Sequence, residues 1–501
     1  MNNIKPLKIL LVQPTVEDFY FTPHRSSSLG PHSLAASWEE RGHNCHVYNC
    51  AMEEPLKKQV KLPTSLTYLE PYLVKQKKEM IGSSWFSQYY RFGPSTEVCV
   101  EKVLNYKPDV IAVSCFAWSY SDNSRKLLEK LQELRQKYSS SYVLVAGGPG
   151  VTVMPEYFTP YADLVVAGEG EDAISSIEKL AEKNSFPLQG KIINLEYSGD
   201  LPFIYNIRIR KHSRFTVSTI ISRGCPKKCS FCANHLVFGR SLRKVPLADL
   251  KKGMDSLIDI IKVKGNNQQE KLKLHINFED DNILFYKEYF LEILNHINEN
   301  CKKNEIDFSF TTENGMDYIL LDNKLIYKFH NLNISQLNLS MASLNKEQLK
   351  AENRTGNIKK LESIIKYSAK LNIPTITYFI CGLKGDTPES IVETLKYLHS
   401  LETSIGISHY YPVPGLVDWQ NKAVFIENPQ ALCRGSSAYP WNKSLNTQEL
   451  ITAFRLARTS NYIKTSGIGK KQIDELKVNF LQDSTMDNKM FNAFFFYLSS
   501  N

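Results

Sequence analysis

The chain has 501 residues, more than one hydrophobic core usually organises, so two or three domains are expected. Its 42% apolar and 23% charged residues are ordinary for a globular protein and exclude a disordered or fibrous chain. The formal charge of +9 is spread along the sequence rather than gathered in a block, so nucleic acid is not an expected partner.

The sequence reaches a strand-like run at once, Ile9-Leu10-Leu11-Val12, with no basic region, long apolar stretch and cleavage site of a leader before it. No apolar run approaches the roughly 18 residues of a membrane span. Ser33 to Arg41 reads as a helix ending before Gly42, and Cys45 to Tyr48 as a short strand. An irregular stretch follows from about Ala51 to Gly93. Glu97 to Tyr106 is helical, Asp109 to Ser114 a strand, Asn123 to Tyr138 a long helix and Tyr142 to Ala146 a strand running into Gly147-Gly148-Pro149-Gly150. Leu164 to Ala167 is a further strand, and Gly168-Glu169-Gly170-Glu171 opens the next helix. Apolar strands alternating with helices at this spacing predict a doubly wound parallel sheet, which binds ligands at the carboxyl ends of its strands. Glycines at two of those ends would let backbone approach a large flat cofactor or its phosphate tail.

A first domain is therefore expected over 1–190, a linker over 191–214, a second α/β domain over 215–415 and a helical region over 416–501. Phe215 to Ser222 is a strand that runs into Cys225-Pro226-Lys227-Lys228-Cys229-Ser230-Phe231-Cys232, with three residues between the first cysteines and two between the next. Cysteines so close do not staple distant parts of a fold, and the other seven are scattered singly. They suit thiolate ligands: three soft donors on one loop hold three irons of a 4Fe–4S cube and leave the fourth open. Zinc is the other reading, with His235 as a fourth ligand, but no second Cys or Cys/His pair follows at zinc-finger spacing. Free thiols and an oxygen-sensitive cluster both fit a reducing cytoplasm. Further strands are expected at Leu272 to Phe278, Asp307 to Thr311, Gln336 to Leu339 and Thr375 to Ile380, a full or partial barrel whose functional loops lie at one face. Asn446 with Glu449 starts a capped helix, and the aromatic tail Phe491 to Leu498 packs on a core.

The cysteine run, down to Phe231 before the last cysteine, resembles the radical S-adenosylmethionine (SAM) enzymes. The resemblance makes Cys225, Cys229 and Cys232 the cluster ligands, with SAM chelating the open iron. It assigns Asp280 and Asp281 of Glu279-Asp280-Asp281-Asn282 to the SAM amino group, although a helix N-cap explains the same acids. Thr312, Asn338, Ser340 and Ser343 supply hydrogen bonds to ribose and carboxylate, and Arg354 pairs with the SAM carboxylate. Family members usually carry Glu where this chain has Ala342. In the fifth-strand loop, Cys381 to Glu389, Lys384 stands where proline is common.

Leu29-Gly30-Pro31, Pro108-Asp109-Val110, Gly147-Gly148-Pro149, Ala162-Asp163 and Gly168-Glu169-Gly170-Glu171, in that order, resemble the cobalamin-binding domain fused to many radical SAM enzymes. Gly147, Gly148, Gly168 and Glu169 are its candidate cobalamin contacts. The Asp-x-His-x-x-Gly that ligates cobalt in other cobalamin domains is absent, which implies a cobalt without a histidine below, and neither His24 nor His32 is taken as a ligand. The pairing implies cobalamin-dependent methylation of an unactivated carbon, consuming two SAM molecules per methyl group. The substrate would be a small molecule or peptide, and flavodoxin or ferredoxin would donate electrons. The alternatives are a radical cyclase or rearrangement enzyme, with or without cobalamin, and a metal-binding sensor without catalysis. Arg434, Tyr439 and Trp441 are candidates for a substrate pocket. Methylthiolation of RNA is disfavoured, since the first domain lacks a second cysteine triplet.

Overall fold

The computed structural model describes residues 5–20, 28–73, 86, 88–183, 189–210, 213–265, 270–481 and 485–500. Six strands form the first sheet: β1 (Lys8–Gln13), β2 (Asn44–Asn49), β3 (Val110–Ser114), β4 (Val143–Gly147), β5 (Leu164–Gly168) and β6 (Lys191–Leu195). All pair in parallel, in the order β2-β1-β3-β4-β5-β6. Ile9 to Val12 and Val110 to Val113 are buried because helices cover both faces, which is why these strands read as unbroken apolar runs. Helices Leu29–Glu39, Thr96–Asn105, Ser121–Tyr138 and Ile174–Lys183 make the crossovers. The strand order reverses between β1 and β3, so a crevice opens there at the carboxyl ends.

Asp163, in the Ala162-Asp163 pair, is explained by the sheet itself. Its carboxylate is buried, accepts the Leu144 N–H at 2.7 Å and takes a two-pronged ion pair from Arg135, one arm at 2.8 Å. The irregular stretch contains the short strands Lys58–Gln59 and Tyr90–Phe92, which pair antiparallel with each other and, through the latter, with Val16–Asp18.

The second domain contains β7 (Ile204–Arg210), antiparallel to β8 (Arg214–Ile220), then β9 (Lys273–Phe278) and β10 (Asp307–Thr311) parallel to β8. Strands β11 (Leu337–Ala342), β12 (Thr375–Cys381) and β13 (Ser404–His409) form a parallel trio. Single bridges from Phe310 to Ile334 and Met316 to Leu339 join β10 to β11. Six parallel strands, β8 to β13, thus stand where a complete barrel has eight. Residues 191–214, expected as a linker, differ from that reading: they carry β6, which closes the first sheet, and β7, which opens the second.

The chain beyond β13 covers its edge. Asn461, on helix Thr447–Ser466, accepts the Ile405 N–H at 2.7 Å and donates to the Ile405 carbonyl at 2.9 Å, standing in for a neighbouring strand. In the last helix, Asn488–Ser500, Phe491, Phe494 and Phe495 are buried while Phe496 faces out, so the aromatic tail packs on the core. The C-terminal region also returns to the first domain. The buried Arg434 donates to the carbonyls of Glu17 and Ser119, each at 2.6 Å, and Ser436 donates to Asp18 at 2.6 Å.

Candidate active site

Strand β8 delivers the cysteine loop to the carboxyl end of the barrel, and the acidic run after β9 anchors the loop's root. Asp280 accepts the Ile221 N–H at 3.2 Å and the Ser222 hydroxyl at 2.5 Å. Asp281 accepts the Gly224 N–H at 2.8 Å. The loop's far side rests on the segment after β11, where the Ser230 N–H meets the Glu352 carbonyl at 3.2 Å. Arg354 lies 3.8 Å from the Cys229 sulfur and donates to the Ser340 carbonyl at 3.0 Å. Between Lys227 and Arg354 sits the buried carboxylate of Asp317, ion-paired to Lys227 and 3.6 Å from the guanidinium.

Cys225, Cys229 and Cys232 line one cavity of about 510 Å³. Its wall includes Phe231, Asp281, Ser340 and Arg354, as expected from sequence. Four other candidates stand apart from it. Asn338 is buried and donates to the Thr312 carbonyl at 3.0 Å, bracing β11 to the loop after β10. Thr312 is buried at that brace, and the Ser343 hydroxyl caps the turn at Asn345. Asp280 also faces inward, toward the loop root. Asp317, Tyr378 and Ser408, absent from the sequence-based set, line the cavity. Tyr378 was legible in the alternation of β12, where Thr375, Thr377, Phe379 and Cys381 are buried and the residues between them are half-buried.

The donor set suits a polynuclear centre. Burial raises the Cys232 thiol above its ordinary value, and the neighbouring Cys229 and Cys225 add to this, so a thiolate at Cys232 calls for a cation beside it. Among the described residues, no three His, Cys, Asp or Glu side chains form a ligand group for one ion. The His235 Nδ1–H is given to the Cys232 carbonyl at 3.1 Å.

Burial pushes the Asp280 carboxyl up from 3.8 to about 7, against the opposing hydrogen bonds from Ser222 and Ile221. The folded protein therefore holds a proton there that the unfolded chain has lost, and stability falls as pH rises from about 4 through about 7. Asp280→Asn is expected to remove roughly 2–4 kcal/mol of that decline. Urea titrations at pH 5 and pH 8 check it: a decline of equal size in both proteins would contradict the assignment.

A second cavity, of about 310 Å³, lies at the crevice between β1 and β3 and extends to the root of the cysteine loop. Gly147, Gly148, Gly168 and Glu169 all line it, with Leu11, Trp38 and Phe116. Two of these glycines are required by the chain's own backbone. Gly148 (φ +100°) would place a Cβ 2.9 Å from the Cys115 carbonyl, and Gly168 (φ +88°) one 2.0 Å from that of Leu195. At Gly147 a Cβ would have nothing closer than 3.8 Å, so the free space there faces the cavity. Among the described residues the cavity wall includes no histidine; His32 receives the Asn206 amide at 3.4 Å, and His24 lies outside those residues.

The Glu169 carboxylate joins the two domains. It is buried between Arg223, at 2.8 Å, and Arg243, at 2.7 Å. Arg223, two residues before Cys225, also reaches Glu171 at 2.7 Å and the Ser33 hydroxyl at 2.8 Å. Arg223 was not anticipated as a functional residue, because its partners lie more than 50 positions away. A third cavity, of about 270 Å³, lies between the other two, sharing Phe116, Pro149, Val237 and Phe238 with the crevice and Asn234 with the cysteine cavity.

Residues 219–398 match the radical SAM superfamily, and residues 82–178 match the B12 binding domain. The chain thus carries a radical SAM domain beside a B12 binding one. Bacteriochlorophyllide d C-12(1)-methyltransferase of Chlorobaculum tepidum is 24% identical over 288 residues, 56% of this chain and 60% of that protein. Anaerobic magnesium-protoporphyrin IX monomethyl ester cyclase of Rubrivivax gelatinosus is 22% identical over 325 residues, 59% of this chain and 55% of that protein. The chain thus spans less than two thirds of either relative. TsrM of Kitasatospora setae, a radical SAM methyltransferase solved with cobalamin and a 4Fe–4S cluster, superposes with a TM-score of 0.53. The match covers 82% of this chain and 76% of TsrM at 13% identity, a likeness of fold. Among the described residues, no helix of the radical SAM protein is long and apolar enough to cross a membrane.

Proposed function

We propose that the protein is a cobalamin-dependent radical SAM methyltransferase acting on an unactivated carbon. The observation that carries this reading is the chain of three cavities. A substrate group in the middle one is flanked by the cysteine loop on one side and by the B12-domain crevice on the other. A cyclase that uses no cobalamin needs no such second flank.

Cys225, Cys229 and Cys232 would hold a 4Fe–4S cluster, and Arg354, Ser340 and Asp281 would orient SAM beside it. Gly147, Gly30 and the apolar walls of the crevice would receive the corrin. When bound, the cluster supplies the electron that cleaves SAM and the corrin carries the methyl group. This chain's residues then bind, orient and exclude water. Arg354 sets a fixed positive charge beside Cys229, where it offsets thiolate charge and attracts a carboxylate. Among the described residues, no histidine of the crevice wall would be a ligand for the corrin's metal.

The test is anaerobic loading with iron, sulfide and cobalamin, followed by electron paramagnetic resonance of the cob(II)alamin form. About four irons per chain, stoichiometric cobalamin and a cobalt signal without nitrogen splitting are expected. Stoichiometric zinc without iron, or nitrogen splitting lost in His32→Ala or His24→Ala, would refute the corresponding part. Deuterium from methyl-labelled SAM should appear in product; its absence with turnover intact would favour the cyclase.

A further inference from the structure

Two cations of the cysteine cavity share one buried carboxylate. Lys227, inside the cysteine run, pairs with Asp317 and reaches the Thr355 hydroxyl at 3.4 Å. The Arg354 guanidinium comes to the same carboxylate from the segment after β11. Its Nη2 lies 3.6 Å from Asp317 and donates to the Ser340 carbonyl at 3.0 Å, so the group is anchored by one arm and presents the other, Nη1, to the Cys229 sulfur at 3.8 Å.

Cys229 is the cysteine at which such a charge acts most strongly. It is buried, whereas Cys225 and Cys232 are half-buried, and the Arg354 side chain is only 11% exposed. Little water therefore screens the guanidinium from that sulfur. Lys227 is closer in sequence, but its ammonium is taken up by Asp317 and Thr355. One-electron reduction of an iron–sulfur cluster adds negative charge that spreads onto its sulfur ligands, and a charged donor on one of those ligands stabilises the reduced form more than the oxidised one. The reduction potential then rises.

We propose that Arg354 is a hydrogen-bond donor to the Cys229 thiolate and sets the potential at which the cluster accepts its electron, with Asp317 and the Ser340 carbonyl holding the guanidinium in place. The inference rests on the cluster of the proposed function. It gives Arg354 a role that does not need SAM, since an arginine serving the SAM carboxylate alone would act only with SAM bound.

The experiment is a redox titration of the full chain loaded with iron and sulfide, without SAM, using dithionite as the reductant and the electron paramagnetic resonance of the reduced cluster as the readout. In Arg354→Met, which keeps an apolar stem and removes the charge and the donor, the constant for one-electron reduction is expected to fall about tenfold or more, a potential lower by about 59 mV. Arg354→Lys keeps the charge without the fork, so its potential should lie between the two. Pulsed resonance on the unaltered chain, grown with isotope-labelled arginine, should show a guanidinium nitrogen coupled to the reduced cluster and lost in Arg354→Lys. Should Arg354→Met not retain a cluster, the lysine variant and the nitrogen coupling decide. A potential unchanged by either variant, no arginine coupling in the unaltered chain, or a coupling that survives Arg354→Lys would overturn the proposal. Iron and sulfide contents of the unaltered chain are read separately: their absence refutes the cluster of the proposed function, whereas a cluster whose potential ignores Arg354 refutes only this role.

Discussion

Arg223→Met is expected to destabilise the protein by about 3–5 kcal/mol and to loosen the cysteine loop from the B12 domain. The guanidinium is buried and holds two buried carboxylates, Glu169 at 2.8 Å and Glu171 at 2.7 Å. Its removal leaves Glu171 with only the Ser33 hydroxyl among the polar partners described, and leaves Glu169 with Arg243 alone. An uncompensated buried charge costs more than the ion pair contributes, which makes single truncation the severe case. Arg223→Lys restores charge but not the forked geometry, so its stability should fall between the two. Urea denaturation of the three proteins gives the order. A methionine variant within about 0.5 kcal/mol of the unaltered chain would show that the pair is solvated and makes no clamp.

Replacement of Cys225, Cys229 or Cys232 by alanine is expected to lower SAM cleavage to below detection and to leave the first sheet folded. Each sulfur is one of three on a single cavity wall, and no other cysteine lines that cavity. The ligands sit on a loop of the second domain, while the first sheet has its own core of Ile9, Leu11, Val110, Val143 and Val166. Iron content should fall with activity while cobalamin uptake persists. Loss of both together would mean that the loop's metal holds the two domains in place, contrary to a clamp made of Arg223, Glu169 and Arg243.

The fold was legible wherever burial on both faces imposed an unbroken apolar run. Strands β1, β3, β4 and β5 were readable for that reason. Strand β6 was not, because at the sheet edge its residues alternate between half-buried and exposed and resemble a connector. The cysteine run was legible because its spacing is local. Asp280 and Asp281 were not distinguishable in sequence, yet adjacent side chains diverge, and only Asp281 reaches the cavity. Thr312 and Asn338 were chosen for their hydrogen-bonding groups. The backbone around β10 and β11 uses the Asn338 amide for bracing, and sequence carries no sign of which customer a polar side chain serves. Arg223 was invisible because its meaning depends on Ser33, Glu169 and Glu171, which the domain arrangement brings to it.

The middle cavity has walls from three regions of the chain: 116–119 with Pro149 and Val153 from the first domain, 233–238 from the cysteine side, and 411–413 with 433 from the C-terminal region. Only the first two also line the crevice and the cysteine cavity, through Phe116, Pro149, Asn234, Val237 and Phe238. The third stretch touches neither the cysteines nor the strand-end glycines. Substitutions at Tyr411, Pro412, Val413 and Cys433 would therefore reshape the middle cavity while leaving the walls of the cysteine cavity and of the crevice as they are.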